Sequence, residues 1–207
     1  MKRWVFALAL LFVAADDPVP LRQVGFAEKG QFLTMTVGLN DVVDDAFKKK
    51  VRSGFAQTIV LRVYLYREGD QAPLGLTLRT YRVWYDLWDE RFFVQMQDPQ
   101  GQRSLPFKSE GEALAVVTKL DMFPLIPAQV VPPNVRHFVA VLVEVNPISP
   151  ELLAQARRWL SRPGSERLSG GETFLGSFVS IFVNTKVSEA ERIIKFRSQP
   201  FYRQAHK

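Results

Sequence analysis

Residues 78–96 read LRTYRVWYDLWDERFFVQM, and this stretch decides the fold. Large side chains occupy every second position of its two halves: Arg79, Tyr81, Val83 and Tyr85, then Phe92, Val94 and Met96. Aromatic and β-branched residues at a spacing of two indicate half-buried β-strands. We therefore predict a long aromatic β-hairpin that turns near Trp88. Around it we expect an α+β fold, a mainly antiparallel sheet with helices packed on it.

The first fifteen residues have the pattern of a secretory signal peptide. Lys2 and Arg3 give a positive start, and the twelve residues Trp4–Ala15 are apolar. The alternative is a membrane anchor, but a helix of twelve residues rises only about 18 Å, whereas a bilayer core is roughly 30 Å thick. We expect cleavage between Ala15 and Asp16. The mature protein would then be periplasmic or secreted.

Composition bounds the chemistry of the chain. Of its 207 residues 47% are hydrophobic and 23% are charged, which is typical of a globular protein with a sizeable core. There is no cysteine, and this excludes thiol catalysis, zinc–thiolate sites and disulfides. We expect no cofactor, and no later stretch is apolar enough to be a membrane-spanning helix.

The positive charge is concentrated at the C-terminal end. The formal net charge is +6, and Lys186–Lys207 contains six basic residues against two acidic ones. The two cations of the signal peptide and the excess of four in this tail account for the whole net charge, so residues 16–185 are neutral. A basic tail on a neutral body favours contact with an anionic protein or membrane face. Export and the lack of a nucleic-acid motif disfavour a nucleic-acid partner.

The first half of the chain divides into an irregular lead-in, residues 16–31, and an α+β domain that begins at Phe32. Alternating residues predict strands over Phe32–Leu39 and Thr58–Arg67. Between them, Asn40 or Asp41 can cap a helix that Gly54 closes. The second strand and the hairpin are expected to pair as an antiparallel meander.

The domain continues to residue 161. Ser109 and Glu112 form a capping box that opens a helix through Lys119. Four prolines in Met122–Pro133 predict a surface loop. His137–Val145 is apolar on both faces, which predicts a strand inside the sheet. Pro150 after Ser149 then starts a helix that ends near residue 160.

A helical extension is predicted over residues 172–207, after a polar linker over residues 162–171. Phe174–Val183 is either a buried helix or a strand. Ser188 and Glu191 form a second capping box, which predicts a short helix with Ile193 and Ile194 on its apolar side. Residues 196–202 are then extended, because Pro200 restricts the residue before it.

The hairpin and the helix after it resemble an uncharacterised proteobacterial family of exported proteins. Its R-x-Y-x-L-x-Y hairpin and F-x-S-x-x-E-A-L helix start match these positions: Arg79, Tyr81, Val83, Tyr85, Phe107, Ser109, Glu112, Ala113 and Leu114. Val83 replaces the leucine, and the chain after Arg162 departs from the family ending. The resemblance covers roughly residues 32–160. It implies an envelope location, a link to a sensor kinase and no catalytic residues.

Few residues have the spacing of a catalytic or metal site. His137 and His206 are the only histidines, and neither has a second histidine at ligand spacing. Asp86, Asp89 and Glu90 cluster at the hairpin turn, where ordinary turn chemistry is favoured over acid–base catalysis. The neighbouring aromatic residues favour cross-strand packing over binding of a sugar or peptide.

These observations lead to a function hypothesis and two alternatives. The hypothesis is a non-enzymatic envelope module that binds a protein partner, or touches an anionic membrane surface, through its basic tail. The residues predicted to bind are Arg192, Lys195, Phe196, Arg197, Phe201 and Arg203, since arginine and aromatic side chains dominate binding hot spots. One alternative is a carrier or sensor of an apolar ligand held between the sheet and residues 174–183. The other is an envelope sugar or peptide hydrolase that uses the three turn carboxylates.

Overall fold

A computed structural model describes residues 19–148 and 190–204. In this part of the chain eleven strands and two α-helices form a mostly antiparallel, sheet-dominated α+β fold, as expected from the sequence. The strands are β1 (Leu21–Arg22), β2 (Gly25–Lys29), β3 (Phe32–Gly38), β4 (Gln57–Arg67), β5 (Gly75–Asp86), β6 (Arg91–Asp98), β7 (Gly101–Phe107), β8 (Lys119–Pro127), β9 (Arg136–Pro147), β10 (Ala190–Ser198) and β11 (Phe201–Tyr202). The helices are α1 (Asp45–Arg52) and α2 (Glu110–Thr118), and two 3-10 turns span Asn40–Val42 and Ala128–Val130.

The larger sheet has the strand order β1-β10-β9-β4-β5-β6-β7, and β11 also pairs with β9. Strands β4 to β7 follow one another as an antiparallel meander, in which β4 pairs with β5 and β5 pairs with β6. Strand β1 is the exception in direction, because it runs parallel to β10. Strands β10 and β11 both pair with β9, so they lie next to the centre of the sheet.

The centre of the sheet is formed by β4 and β9. Alternate residues of β4 from Ile59 to Leu65 are almost fully buried, as their spacing predicts. Strand β9 is buried at every position from His137 to Val145, which confirms a strand covered on both faces. Such a strand has a nearly continuous apolar sequence, since neither face meets water.

A second, three-stranded sheet has the order β2-β3-β8 and corrects two predictions. The irregular lead-in contains β1 and β2, and the loop predicted over Met122–Pro133 contains most of β8. Pro124 and Pro127 are accommodated because β8 is an edge strand, where one side needs no ladder hydrogen bonds. The pairing of β8 with β3 is irregular at two places, which also fits a proline-bearing edge.

The two helices are capped by side chains that the sequence offers. Asp44 caps α1, with its Oδ1 accepting from the Phe47 N–H at 2.8 Å. This corrects the predicted cap at Asn40 or Asp41, which belong to the 3-10 turn. Ser109 and Glu112 form the predicted capping box of α2, with both reciprocal hydrogen bonds present.

The predicted helix around Ile193 and Ile194 is wrong, because these residues belong to strand β10. β10 pairs antiparallel with β9, from Ala190 opposite Pro147 to Arg197 opposite Ala140. The extended conformation predicted after residue 196 is confirmed by the end of β10 and by β11.

Several predictions lie outside the described residues: the signal peptide, the helix from Ser149, the linker over 162–171 and the segment 174–183. Within residues 19–148 and 190–204, neither helix has the length and apolar character that a bilayer crossing requires.

Candidate functional site

The six residues predicted to bind a partner lie on and just after β10 and β11, and none of them is strongly exposed. Phe196 is fully buried in the main core, opposite Val141 of β9, with the Arg22 guanidinium 4.4 Å above its ring. Phe201 is half-buried and stacks on Phe26 of β2 at 3.8 Å between ring centroids. The role predicted for Phe196 is therefore wrong, because its ring has no exposed surface in this fold.

The arginines of the same segment face acidic groups of their own chain. Arg192 Nη1 donates to Asp44 Oδ2 at 2.6 Å, which connects β10 to the cap of α1. Arg203 Nε donates to Glu28 Oε1 at 2.9 Å, and its Nη1 donates to a backbone carbonyl at 3.0 Å. The Phe47 N–H and then the Arg192 guanidinium lower the pKa of Asp44, so this carboxylate stays charged at neutral pH.

Two further cations complete this segment. The Arg197 guanidinium lies 4.1 Å from the ring centroid of Phe138 and 4.0 Å from Glu68 Oε1. Lys195 is half-buried on the same strand. These contacts show that the segment packs on the rest of its own chain, and partner binding by its cations stays a prediction.

A different surface exposes large apolar side chains. Trp88 is 95% exposed at the turn between β5 and β6, and Leu87 beside it is 64% exposed. Phe55, which follows α1, is 66% exposed. The two segments meet, because a Cβ built at Gly54 would lie 3.5 Å from the Leu87 side chain. We call Phe55, Leu87 and Trp88 the apolar tip.

The backbone of the turn is fixed by Asp86. Its Oδ1 accepts from the backbone N–H of Trp88 at 2.9 Å and from that of Asp89 at 3.0 Å. Glu90 has a φ of 51°, a left-handed conformation that few non-glycine residues adopt and that tight turns require. Asp86 therefore orients the apolar tip, which is the turn role that the sequence favoured.

Aromatic pairs hold the strands beneath the turn. Trp84 stacks on Phe93 at 5.4 Å, and Tyr85 packs at a tilt on Phe92 at 4.7 Å. These cross-strand pairs occupy Trp84 and Tyr85, as expected for two of the three aromatic residues. Trp88 differs because it lies beyond the last strand pair, Asp86 with Arg91, so no residue opposes it.

The apolar tip is bordered by carboxylates. Asp89 and Glu90 directly follow Trp88 and are both exposed. The hydrolase alternative needs the three turn carboxylates in a shared cleft, but Asp86 is used by the backbone and the other two face solvent. The neighbouring cations of α1 are paired elsewhere, Lys50 with Glu191 and Arg52 with Glu110, each at 2.5 Å.

An open cleft of about 390 Å³ lies at the other end of the molecule, between β2 and β11. It is lined by the aromatic rings of Phe26 and Phe201 and by the ion pair of Glu28 with Arg203. The cavity predicted by the carrier alternative was placed against residues 174–183, which are outside the described residues.

Histidine and metal chemistry find no support at His137. It is fully buried on β9, where it faces Phe201 at 5.7 Å between ring centroids, and burial lowers its pKa. Among the residues that the structure describes, no group of three His, Asp or Glu side chains could hold a metal ion. His206 lies outside these residues.

Comparison with known proteins gives no matching family model, no matching curated protein and no matching solved structure.

Proposed function

We propose that this protein is an exported, non-enzymatic module of the cell envelope that binds a protein partner through its apolar tip. One observation carries the proposal: Trp88 is 95% exposed at the end of a hairpin whose turn is fixed by hydrogen bonds. Tryptophan is among the residues most enriched at the centre of protein interfaces, where its burial contributes much of the binding energy.

The size of the apolar tip fits a docking point. A fully buried aromatic side chain covers roughly 150–250 Å², so Phe55, Leu87 and Trp88 together expose several hundred Å² of apolar surface. A patch of this size is as large as the largest patch of a typical monomer, and such patches are often functional.

The rigidity of the turn also favours binding. Binding costs free energy when a flexible loop has to be ordered, and a preformed loop avoids most of that cost. Asp86 and the stacked pairs below it already hold the backbone that carries Trp88. The aromatic hairpin is in this proposal the element around which the sheet is organised, with α1 and α2 packed on it.

The cellular setting in this proposal rests on the sequence. The pattern of residues 1–15 supports export, and the family resemblance adds an envelope location and a link to a sensor kinase. A membrane-bound sensor or an envelope assembly would then be the partner.

The experiment is photo-cross-linking in intact cells with a benzophenone amino acid in place of Trp88. The matched control carries the same amino acid at Tyr202, which is aromatic, 58% exposed and at the opposite end of the sheet, beside the predicted tail site. A discrete protein adduct from position 88 that position 202 does not give would support the proposal. An adduct from position 202 alone would return the binding site to the tail.

A further inference from the structure

We infer that the partner's surface is an apolar pocket bordered by lysine or arginine side chains. This inference rests on the proposed function and adds the chemistry of the partner. It separates a protein pocket from the other surface that an exposed tryptophan could enter, an anionic membrane.

The charge around the apolar tip has the opposite sign to that of the whole chain. Residues 86–91 contain three carboxylates and one arginine, whereas the chain carries a net charge of +6. Asp86 uses one oxygen for the turn, and Arg91 lies directly across the strand pair from it. Asp89, Glu90 and Arg91 are all exposed, so the net charge that a partner of Trp88 meets on this turn stays negative.

The nearest helix does not neutralise these carboxylates. The end of α1 lies against the turn through Gly54, but Arg52 and Lys50 each form an ion pair with an acidic residue elsewhere. Lys48 pairs with Asp45 on its own helix, and Lys49, the remaining cation of α1, is exposed and forms no ion pair with Asp89 or Glu90. Among the residues that the structure describes, no cation pairs with Asp89 or Glu90, and we take this acidic charge as the part of the surface that an external group matches.

An anionic bilayer is a poor match for this surface. Placing Trp88 in the interface would bring Asp89 and Glu90 to the level of the headgroups, where basic side chains are attracted and carboxylates are repelled. Removing a carboxylate from water without a partner is also costly. A zwitterionic interface would lack the repulsion, but it would offer the two carboxylates no cation.

A basic-bordered pocket satisfies both parts of the surface. A standard protein interface buries about 800 Å² on each partner, which is more than the three apolar side chains provide. The contact must therefore include the residues around them, and the two exposed residues that directly follow Trp88 are Asp89 and Glu90. Opposite charges at the edge of an interface speed association and select the partner.

The test uses the protein with the benzophenone at position 88 and changes one charge. Asp89→Lys reverses the charge beside the cross-linker, and Asp121→Lys makes the same change on the exposed edge strand β8 as the control. We expect Asp89→Lys to reduce the adduct yield severalfold and Asp121→Lys to leave it unchanged. If both variants melt at the same temperature as the protein without the charge change, their folding is intact.

Three readouts separate the outcomes. Mass spectrometry of the adduct should place the linked residue on an apolar surface flanked by lysine or arginine. Added salt should lower the wild-type yield, because screening weakens the attraction between exposed charges. Phosphatidylglycerol vesicles should not retain the purified protein in a flotation assay.

The opposite results would overturn the inference. An adduct whose yield is equal or higher in Asp89→Lys, or one linked beside acidic residues, would reject the basic border while leaving the proposed function intact. Flotation with the vesicles that Trp88→Ala abolishes would identify a membrane as the partner. No adduct from position 88 in the wild-type background would reject the proposed function itself.

Discussion

The apolar tip and the C-terminal strands β10 and β11 both contain large aromatic side chains, and the fold buries them in one region and exposes them in the other. Phe196 is completely buried and Trp88 is almost completely exposed. The arginines of the C-terminal strands contact acidic residues of their own chain, whereas Asp89 and Glu90 face solvent. Composition alone therefore does not separate an exposed apolar surface from a core strand, because burial depends on whether another strand packs beside it.

Substitution of Phe196 tests this contrast with the largest expected effect. Phe196→Ala should lower the free energy of unfolding by about 3–5 kcal/mol, because it removes a large buried ring and leaves a cavity. Chemical denaturation followed by circular dichroism measures the change. An unchanged midpoint would mean that Phe196 is exposed and available to a partner, as the tail hypothesis requires.

The ion pair of Arg203 and Glu28 should have the next largest effect. Both side chains are mostly buried, at 17% and 22% exposure, so Arg203→Ala leaves a carboxylate with less compensation. We expect a loss of about 1–3 kcal/mol of stability, in the range for charged hydrogen bonds. A double-mutant cycle with Glu28→Ala isolates the pair, and a coupling energy of zero would show that Arg203 is free to act in binding.

The stability of the fold should also depend on pH through His137, which lies on β9 and faces Phe201 of β11. Burial lowers its pKa in the folded state, so the unfolded chain binds a proton more readily. This contribution to stability is complete above the ordinary pKa of 6.5 and decreases as the pH falls below it. One proton gives a slope of at most about 1.4 kcal/mol per pH unit.

The measurement is urea unfolding of the wild type and of His137→Gln at several pH values between about 7.5 and 5, a range that brackets the ordinary histidine pKa. The wild type should lose stability across this range more steeply than the variant. Asp41 and Asp44 have lowered pKa values, so their own losses belong to more acidic conditions. Parallel curves for the two proteins would show that His137 does not titrate in this way.

Substitution of Trp88 should have the smallest effect on folding. Trp88→Ala removes a side chain that is 95% exposed, so the free energy of unfolding should change by no more than about 0.5 kcal/mol. The same denaturation experiment measures it beside Phe196→Ala. A loss comparable to that of Phe196→Ala would show that Trp88 packs in the fold, and the docking proposal would lose its main support.

Local sequence patterns predicted the elements whose hydrophobic period is clear. Strands β3, β4 and β9 and helix α2 each have one, or are apolar throughout. β8 was missed because prolines argue against strands, and only its position at a sheet edge makes them acceptable. β10 was missed because Ser188 and Glu191 have the spacing of a capping box, while the pairing of β10 with β9 depends on residues more than forty positions away.

The exposure of Trp88 could not be predicted for a related reason. Trp84 and Tyr85 have aromatic partners on β6. Trp88 stands in the same aromatic-rich stretch, so the sequence alone does not distinguish it from them. Whether a side chain at a turn is covered depends on which other segment crosses it. The available signal was its position between the two halves of the hairpin, where cross-strand packing ends.

The pairing of β10 with both β9 and β1 has a consequence for how the chain is made. Leu21 and Arg22 near the start of the described chain find their partners only in Arg197 and Ser198, almost at its end. Loops that long close slowly, and strands that depend on them fold late. Among the described residues, β10 is the strand that pairs with β1 and with the second edge of β9, so we expect both edges to stay unpaired until residues 190–198 have been made. We therefore expect a product that stops before residue 190 to be prone to aggregation through those edges.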